Sequence, residues 1–157
     1  MNPGGTRAPI LDRRDNHEVT YSDIFTVQPF GNIVVTITLT GEQIIRLLEE
    51  QWPGGPNQRA RVLLPSANFT YKWDNRRPAG SKLVPGSVLL EGVPIDPKAR
   101  YRVAVNNFLA DGGDAFTVLR EGVERVSGMV DLDALEAYFK AHSPVAVPKP
   151  GRIVRLD

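Results

Sequence analysis

The chain is 157 residues long, 41% apolar and 24% charged, with a formal net charge of +1 and no cysteine. That size supports one domain with its own core. The scattered Lys and Arg argue against a nucleic-acid surface, the lack of cysteine excludes disulfides and thiolate metal sites, and no apolar run is long enough to span a bilayer.

Residues 1–17 are polar and loop-like, with Asn2, Arg7, Arg13 and Arg14. The opening Met1-Asn2-Pro3-Gly4-Gly5-Thr6-Arg7 has the composition of a turn and not of a signal peptide. The expectation is a piece cut from a longer polypeptide. A short segment around Tyr21 to Val27 leads into Pro29-Phe30-Gly31-Asn32, a turn by composition. Ile33, Val35, Ile37 and Leu39 then alternate with Val34, Thr36 and Thr38, which predicts a strand. Thr40 with Gln43 forms a capping-box pair that opens a helix, with Ile44, Ile45, Leu47, Leu48 and Trp52 on one face. Pro53-Gly54-Gly55-Pro56 stops it.

Short strands are predicted at Val62 to Leu64, Phe69 to Trp73, Val88 to Leu90 and Arg100 to Asn106, separated by Pro, Gly, Asn and Asp turns. Phe116 to Leu119 reads as a helical turn. Asp131 is expected to cap a second helix burying Leu132, Leu135, Tyr138 and Phe139. A proline-rich tail from Ser143 to Pro150 delivers a last strand, Arg152 to Leu156, to a sheet edge. Elements alternate without a regular βαβ rhythm and without internal repeats. The predicted class is α+β, a mixed sheet with helices packed on it, in one domain over 1–157.

The densest stretch for chemistry is Asn106-Asn107-Phe108-Leu109-Ala110-Asp111-Gly112-Gly113-Asp114-Ala115-Phe116. A period-two strand with Tyr101, Val103 and Val105 on one face runs straight into it. Paired glycines let a backbone take positive φ and approach a ligand closely. Asp111 and Asp114 are candidates for acid/base work or for calcium, but the loop lacks the spaced oxygen ligands and later Glu of an EF-hand. Alone, Gly112-Gly113-Asp114 is also an ordinary turn. Phe30 and Phe108, both on turns beside strands, would together make a slot for a planar ring, although either can instead plug its own turn. His17 and His142 stand in unlike contexts without ligand spacing, and His142 complements a helix C-terminus. No serine elbow, phosphate-binding loop or cysteine nucleophile appears, so no catalytic residue and no metal ligand is assigned. The sequon Asn68-Phe69-Thr70 falls in a predicted strand, and the Arg13-Arg14 and Arg76-Arg77 pairs read as solvated loop charges.

Taken together, Asn2-Pro-Gly-Gly-Thr-Arg7, Gln28-Pro-Phe-Gly-Asn32 and Tyr101-Arg-Val-Ala-Val-Asn-Asn-Phe-Leu-Ala-Asp-Gly-Gly-Asp-Ala-Phe116 resemble the C-terminal domain of the 5′-nucleotidase and UDP-sugar hydrolase family. The resemblance extends through the closing helix and the Pro-Gly-Arg-Ile tail. It implies a substrate-binding domain in which Phe30 and Phe108 sandwich a base and Asp114 accepts from ribose hydroxyls. By the same likeness, Arg7 lies toward the sugar and phosphate, and Asn2 and Asn32 contact the base edge. It further implies a separate N-terminal metallophosphoesterase domain carrying two divalent metal ions and the catalytic His and Asp, so this chain alone holds no cofactor and hydrolyses nothing. The implied partners are a nucleotide or nucleoside and that N-terminal domain. The implied location is secreted, periplasmic or cell-surface, in a bacterium. Pro3, Thr6 and Ala115 depart from the family pattern, and Ala115, in place of a usual Gly, restricts the loop if its backbone needs positive φ. Two alternatives stand beside this reading. One is a non-catalytic binding or adhesion module on the same fold. The other is a related hydrolase acting on cyclic nucleotides, UDP-sugars or a sulfur-carrier substrate.

Overall fold

The computed structural model describes residues 4–10, 17–54 and 59–156. Asn2, Pro3, Arg13, Arg14, Gly55 and Pro56, all used in reading the sequence, lie outside those residues. The first helix, α1 (Tyr21–Val27), occupies what composition marked only as a short segment. Its signal is a capping box: Thr20 N–H donates to Asp23 Oδ2 at 2.8 Å, while Asp23 N–H donates to Thr20 Oγ1 at 3.4 Å. Such reciprocal bonds satisfy amides that the first turn cannot pair internally. Ile24 and Val27 bury the inner face.

Strand β1 (Ile33–Thr40) and helix α2 (Gly41–Glu49) form where alternation and capping predict them. Val35, Ile37 and Leu39 are almost wholly buried, and Ile44, Leu47 and Leu48 of α2 join the same core. The Thr40–Gln43 box is closed in both directions, at 2.8 and 3.2 Å.

After α2 come β2 (Phe69–Asp74), β3 (Leu89–Leu90), β4 (Val93–Pro94) and β5 (Arg100–Asn106). A one-turn helix α3 (Asn107–Ala110) and two 3₁₀ turns, Gly113–Ala115 and Thr117–Glu121, lead to β6 (Val123–Val130), α4 (Asp131–His142) and β7 (Ile153–Leu156). Two sheets result. One is antiparallel in the order β5-β1-β6; the other runs β4-β3-β2-β7, with β7 added parallel to β2 at the edge. The class is α+β with mixed sheets and packed helices, as predicted.

Three departures from the sequence reading have local reasons. Val62 to Leu64 is not a strand, because its backbone is claimed by the wholly buried Gln51. Gln51 Oε1 accepts from Leu63 N–H at 2.7 Å and from Tyr71 Oη at 3.1 Å, and its backbone carbonyl accepts from Arg61 N–H at 2.8 Å. Burial pushes the Tyr71 phenol up to about 12. Second, β6 lacks the alternation of a half-buried strand because it is an exposed edge with register shifts against β1. Third, Asp131 does not cap α4. The capping position is Val130, without a side-chain bond, and the Asp131 carboxylate reaches back to Gln28 and Asn32. On that helix Leu132 is buried, Leu135 and Phe139 are partly covered, and Tyr138 is 51% exposed.

Candidate functional site

Where β5 hands over to α3, adjacent asparagines divide two structural tasks. Asn106 Oδ1 accepts from Leu109 N–H at 2.8 Å and caps α3. Asn107 Oδ1 accepts from Ile33 N–H at 2.8 Å and ties α3 to the entrance of β1. The exposed Phe108 therefore projects from a segment anchored at both ends.

The two glycines beyond it are required for separate reasons. Gly112 has φ +84°, a left-handed conformation, and a Cβ there would meet Arg120 Nε at 2.2 Å. A Cβ on Gly113 would lie 2.5 Å from the Phe108 ring, so the ring rests directly against the Gly113 backbone. Asp114 and Ala115 follow with φ of 53° and 64°. Such conformations cost an L-residue roughly 1–2 kcal/mol each. Neighbours hold them in place: Arg61 Nη1 donates to the Asp114 carbonyl at 2.7 Å and Arg120 Nε to the Asp111 carbonyl at 2.9 Å. The Phe116 side chain is fully buried. Glu50, beyond α2, accepts from Thr117 N–H at 3.1 Å and Val118 N–H at 3.3 Å.

The facing element is the turn after α1. Arg7 joins it through its backbone, with N–H donating to Val27 carbonyl at 2.8 Å, and its guanidinium stands 4.9 Å from the Phe30 ring centroid. That is cation–π distance. A planar ring has two faces, and Arg7 takes one. Gly31 turns the chain with φ +62°.

Between these elements opens a cleft of about 290 Å³, lined by Gly4, Gly5, Arg7, Phe30, Asn32, Asn106, Phe108 and Asp114. Phe30 is 38% and Phe108 45% exposed, values that do not suit core plugs. Five of the six residues singled out from sequence thus meet in one place: Arg7, Phe30, Asn32, Phe108 and Asp114. The sixth, Asn2, lies outside the described residues. Gly4, Gly5 and Asn106 carried no site role from sequence, although each lies within one of the quoted motifs.

The two carboxylates of the glycine loop have separate fates. Asp114 lines the cleft, whereas Asp111 pairs with Arg125 at 2.6 Å, and that hydrogen bond and charge hold its carboxyl below the usual carboxylate range. Asp111 is a structural ion pair and not half of an acid/base dyad. His17 and His142 do not line the cleft; the His142 ring sits against Tyr138, with centroids 4.6 Å apart. Among the described residues no three of His, Asp or Glu converge as ligands for an ion, and no helix is long and apolar enough to cross a membrane.

A larger cleft of about 640 Å³ lies beside β5 and α2, with walls that are mostly aliphatic, including Ile44, Leu47, Leu63, Val103 and Leu109. It has more room and polar residues of its own, among them Gln28, Asn68, Arg102 and Asp131, but none of the five residues that meet in the smaller cleft lines it. Ligand sites combine apolar surface with a few convergent polar groups, and the smaller cleft has both.

Residues 1–121 match the family described as "5'-nucleotidase, C-terminal domain". The chain is 32% identical to "Protein UshA" of Escherichia coli, over 94% of this chain and 24% of that protein. To "Apyrase" of the insect Tabanus yao it is 30% identical, over 98% of this chain and 28% of that protein. The crystal structure of a 5'-nucleotidase precursor from Thermus thermophilus superposes with a TM-score of 0.69 at 35% identity, over 88% of this chain and 28% of that one. The chain spans about a quarter of the length of these relatives.

Proposed function

Because this chain belongs to the 5′-nucleotidase C-terminal domain family, we propose that its smaller cleft recognises the nucleoside part of a nucleotide. A separate metallophosphoesterase domain of the parent polypeptide would hydrolyse the phosphate ester. One observation carries this reading: two half-exposed phenylalanines from unrelated elements border one cleft with a carboxylate, an amide and a guanidinium. Phe30 and Phe108 stack on the base. Asp114 accepts from ribose hydroxyls, Asn32 and Asn2 meet the base edge, and Arg7 attends the sugar and phosphate side. Stacking supplies affinity with little base discrimination, about 1–3 kcal/mol per base.

Among the described residues no three His, Asp or Glu side chains converge as ligands for a metal ion. Two divalent ions belong, in this reading, to the N-terminal domain. The domain's task is to hold the nucleoside so that the phosphate reaches them. A parent that is secreted, periplasmic or at the surface of a bacterial cell fits the reading, and cyclic nucleotides or UDP-sugars present the same base and ribose to the same cleft.

Calorimetry with adenosine tests the stacking assignment. Weak binding is expected from the intact chain, and Phe30→Ala or Phe108→Ala should each weaken it by about five- to 150-fold. Detectable binding that neither change weakens would sink the assignment and favour a binding module with another ligand. The pure chain should release no phosphate from AMP with or without divalent metal; metal-dependent release would show a catalytic centre in the chain itself.

A further inference from the structure

Between the Phe30 turn and α4 lies a carboxylate that the binding reading leaves unused. Asp131 is 6% exposed, and a single oxygen, Oδ2, accepts from Gln28 Nε2 at 3.4 Å and Asn32 Nδ2 at 3.3 Å. Its backbone N–H donates to the Asn32 carbonyl at 2.7 Å. Gln28 and Asn32 are the two ends of the turn that carries Phe30. One side chain therefore fastens both ends, and it does so across about a hundred residues of sequence. Asp131 Oδ1 is buried without a hydrogen-bond partner among the described residues. Among the described residues the side-chain donors to this carboxylate are the two amides, in surroundings where hydrogen bonds are stronger than in water.

This arrangement has a consequence for Asn32. A carboxylate only accepts, so the amide nitrogen of Asn32 is the atom that faces Asp131. Asn32 also lines the cleft, and Asp131 does not. With one N–H committed to Asp131, the amide keeps its oxygen and a second N–H, and the nitrogen is no longer free to swing to the oxygen's place. An amide without this restraint could turn either end to a ligand; one tied to Asp131 offers an acceptor.

We propose that Asp131 is a positioning residue for the cleft: it fixes Asn32 with Oδ1 toward the ligand, so that the site selects nucleobases presenting an N–H at their edge. The proposal rests on the nucleoside reading. Adenine and cytosine offer an exocyclic amine, guanine an amine and a ring N–H, and uracil a ring N–H, so all the common bases qualify. Bases without such a donor do not. Broad tolerance among natural nucleosides and rejection of donor-less analogues then arise from one acceptor. Asp131 lies beyond residues 1–121, the part of the chain that matches the family, so the family match does not itself assign the residue a role.

The test compares adenosine with purine riboside, which keeps the ring and ribose and lacks the amine. The intact chain should bind adenosine about fivefold tighter, the worth of one ordinary hydrogen bond. In Asp131→Asn the side chain carries both a donor and an acceptor, so Asn32 can turn either way. The preference should then fall below about twofold, with purine riboside affinity nearly unchanged. An equal loss for both nucleosides would mean only structural support and would overturn the proposal. So would equal affinity of the intact chain for the two, which leaves the nucleoside reading standing; binding of neither removes that reading as well. Side-chain NMR of the intact chain adds a measurement that needs no variant. The Asn32 NH₂ resonances, held on Asp131, should barely move when adenosine binds. A shift as large as those of the cleft's backbone amides overturns the proposal.

Discussion

The two walls of the cleft are held by different physics. Around Phe108 the support is largely local: Asn106 caps the helix turn that carries the ring, Gly113 makes room for it, and left-handed residues at 112, 114 and 115 bend the chain back to the buried Phe116. Around Phe30 the turn is short and its restraint is remote, since Asp131 arrives from the start of α4. A locally built wall stores strain and resists change within its own segment. A remotely held wall is unstrained, but it depends on another part of the fold being in place. The cleft is therefore sensitive to damage in regions that a list of its lining residues would omit.

Three experiments probe that contrast, beginning with the largest expected effect. The Phe108 wall has its own outside support: the Gln51–Tyr71 pair fixes the Arg61–Leu63 segment, and Arg61 grips Asp114. Tyr71 holds its proton more tightly folded, with a value near 12, than unfolded, with a value near 10. Its contribution is complete below pH 10 and is lost as the pH rises to 12. The loss should reach roughly 2–3 kcal/mol by linkage, at about 1.4 kcal/mol per pH unit. Denaturant titrations from about pH 9 to 12 should show the decline, and Tyr71→Phe should flatten it; an unchanged slope in that variant would remove Tyr71 as its source.

Next in size is Gly113→Ala. Its methyl would overlap the Phe108 ring. The expected cost is about 1–3 kcal/mol of stability, together with adenosine binding weakened by about tenfold or more. If binding drops while the melting temperature holds, the ring has simply moved and the wall is softer than described. The smallest effect has the opposite sign. Ala115→Gly relieves a left-handed alanine, and a gain of about 0.5–1 kcal/mol is expected despite the usual penalty for glycine. A loss in chemical denaturation would show that the φ of Ala115 carries no strain.

Much of this architecture is legible in the chain. The alternation of Ile33 to Leu39, the Thr40–Gln43 box and the run from Tyr101 to Asn106 each produced its element, because their signals are periodic and short-range. The α1 box at Thr20 and Asp23 was equally available and is written in the same code. Strand β6 was not available: Val123, Val126 and Met129 are all exposed on an edge strand, so no buried face imposes a period of two. The segment at 62–64 has strand composition, but its backbone partner is a side chain just beyond α2. Asp131 looks like a cap because an acid at a helix start has the same sequence context whichever way its carboxylate turns.

The sequence by itself determined the elements, the glycine loop that Phe108 rests on and the set of residues with the right chemistry for a flat, hydroxylated ligand. Only the tertiary structure decided which of them meet. It gave Asp114 to the cleft and Asp111 to Arg125, and it turned Asp131 from its own helix toward Gln28 and Asn32. Capping and periodicity act within a few residues and leave a mark in local order. The pairing of side chains far apart in the chain depends on how sheets and helices pack, and it leaves no local mark to read.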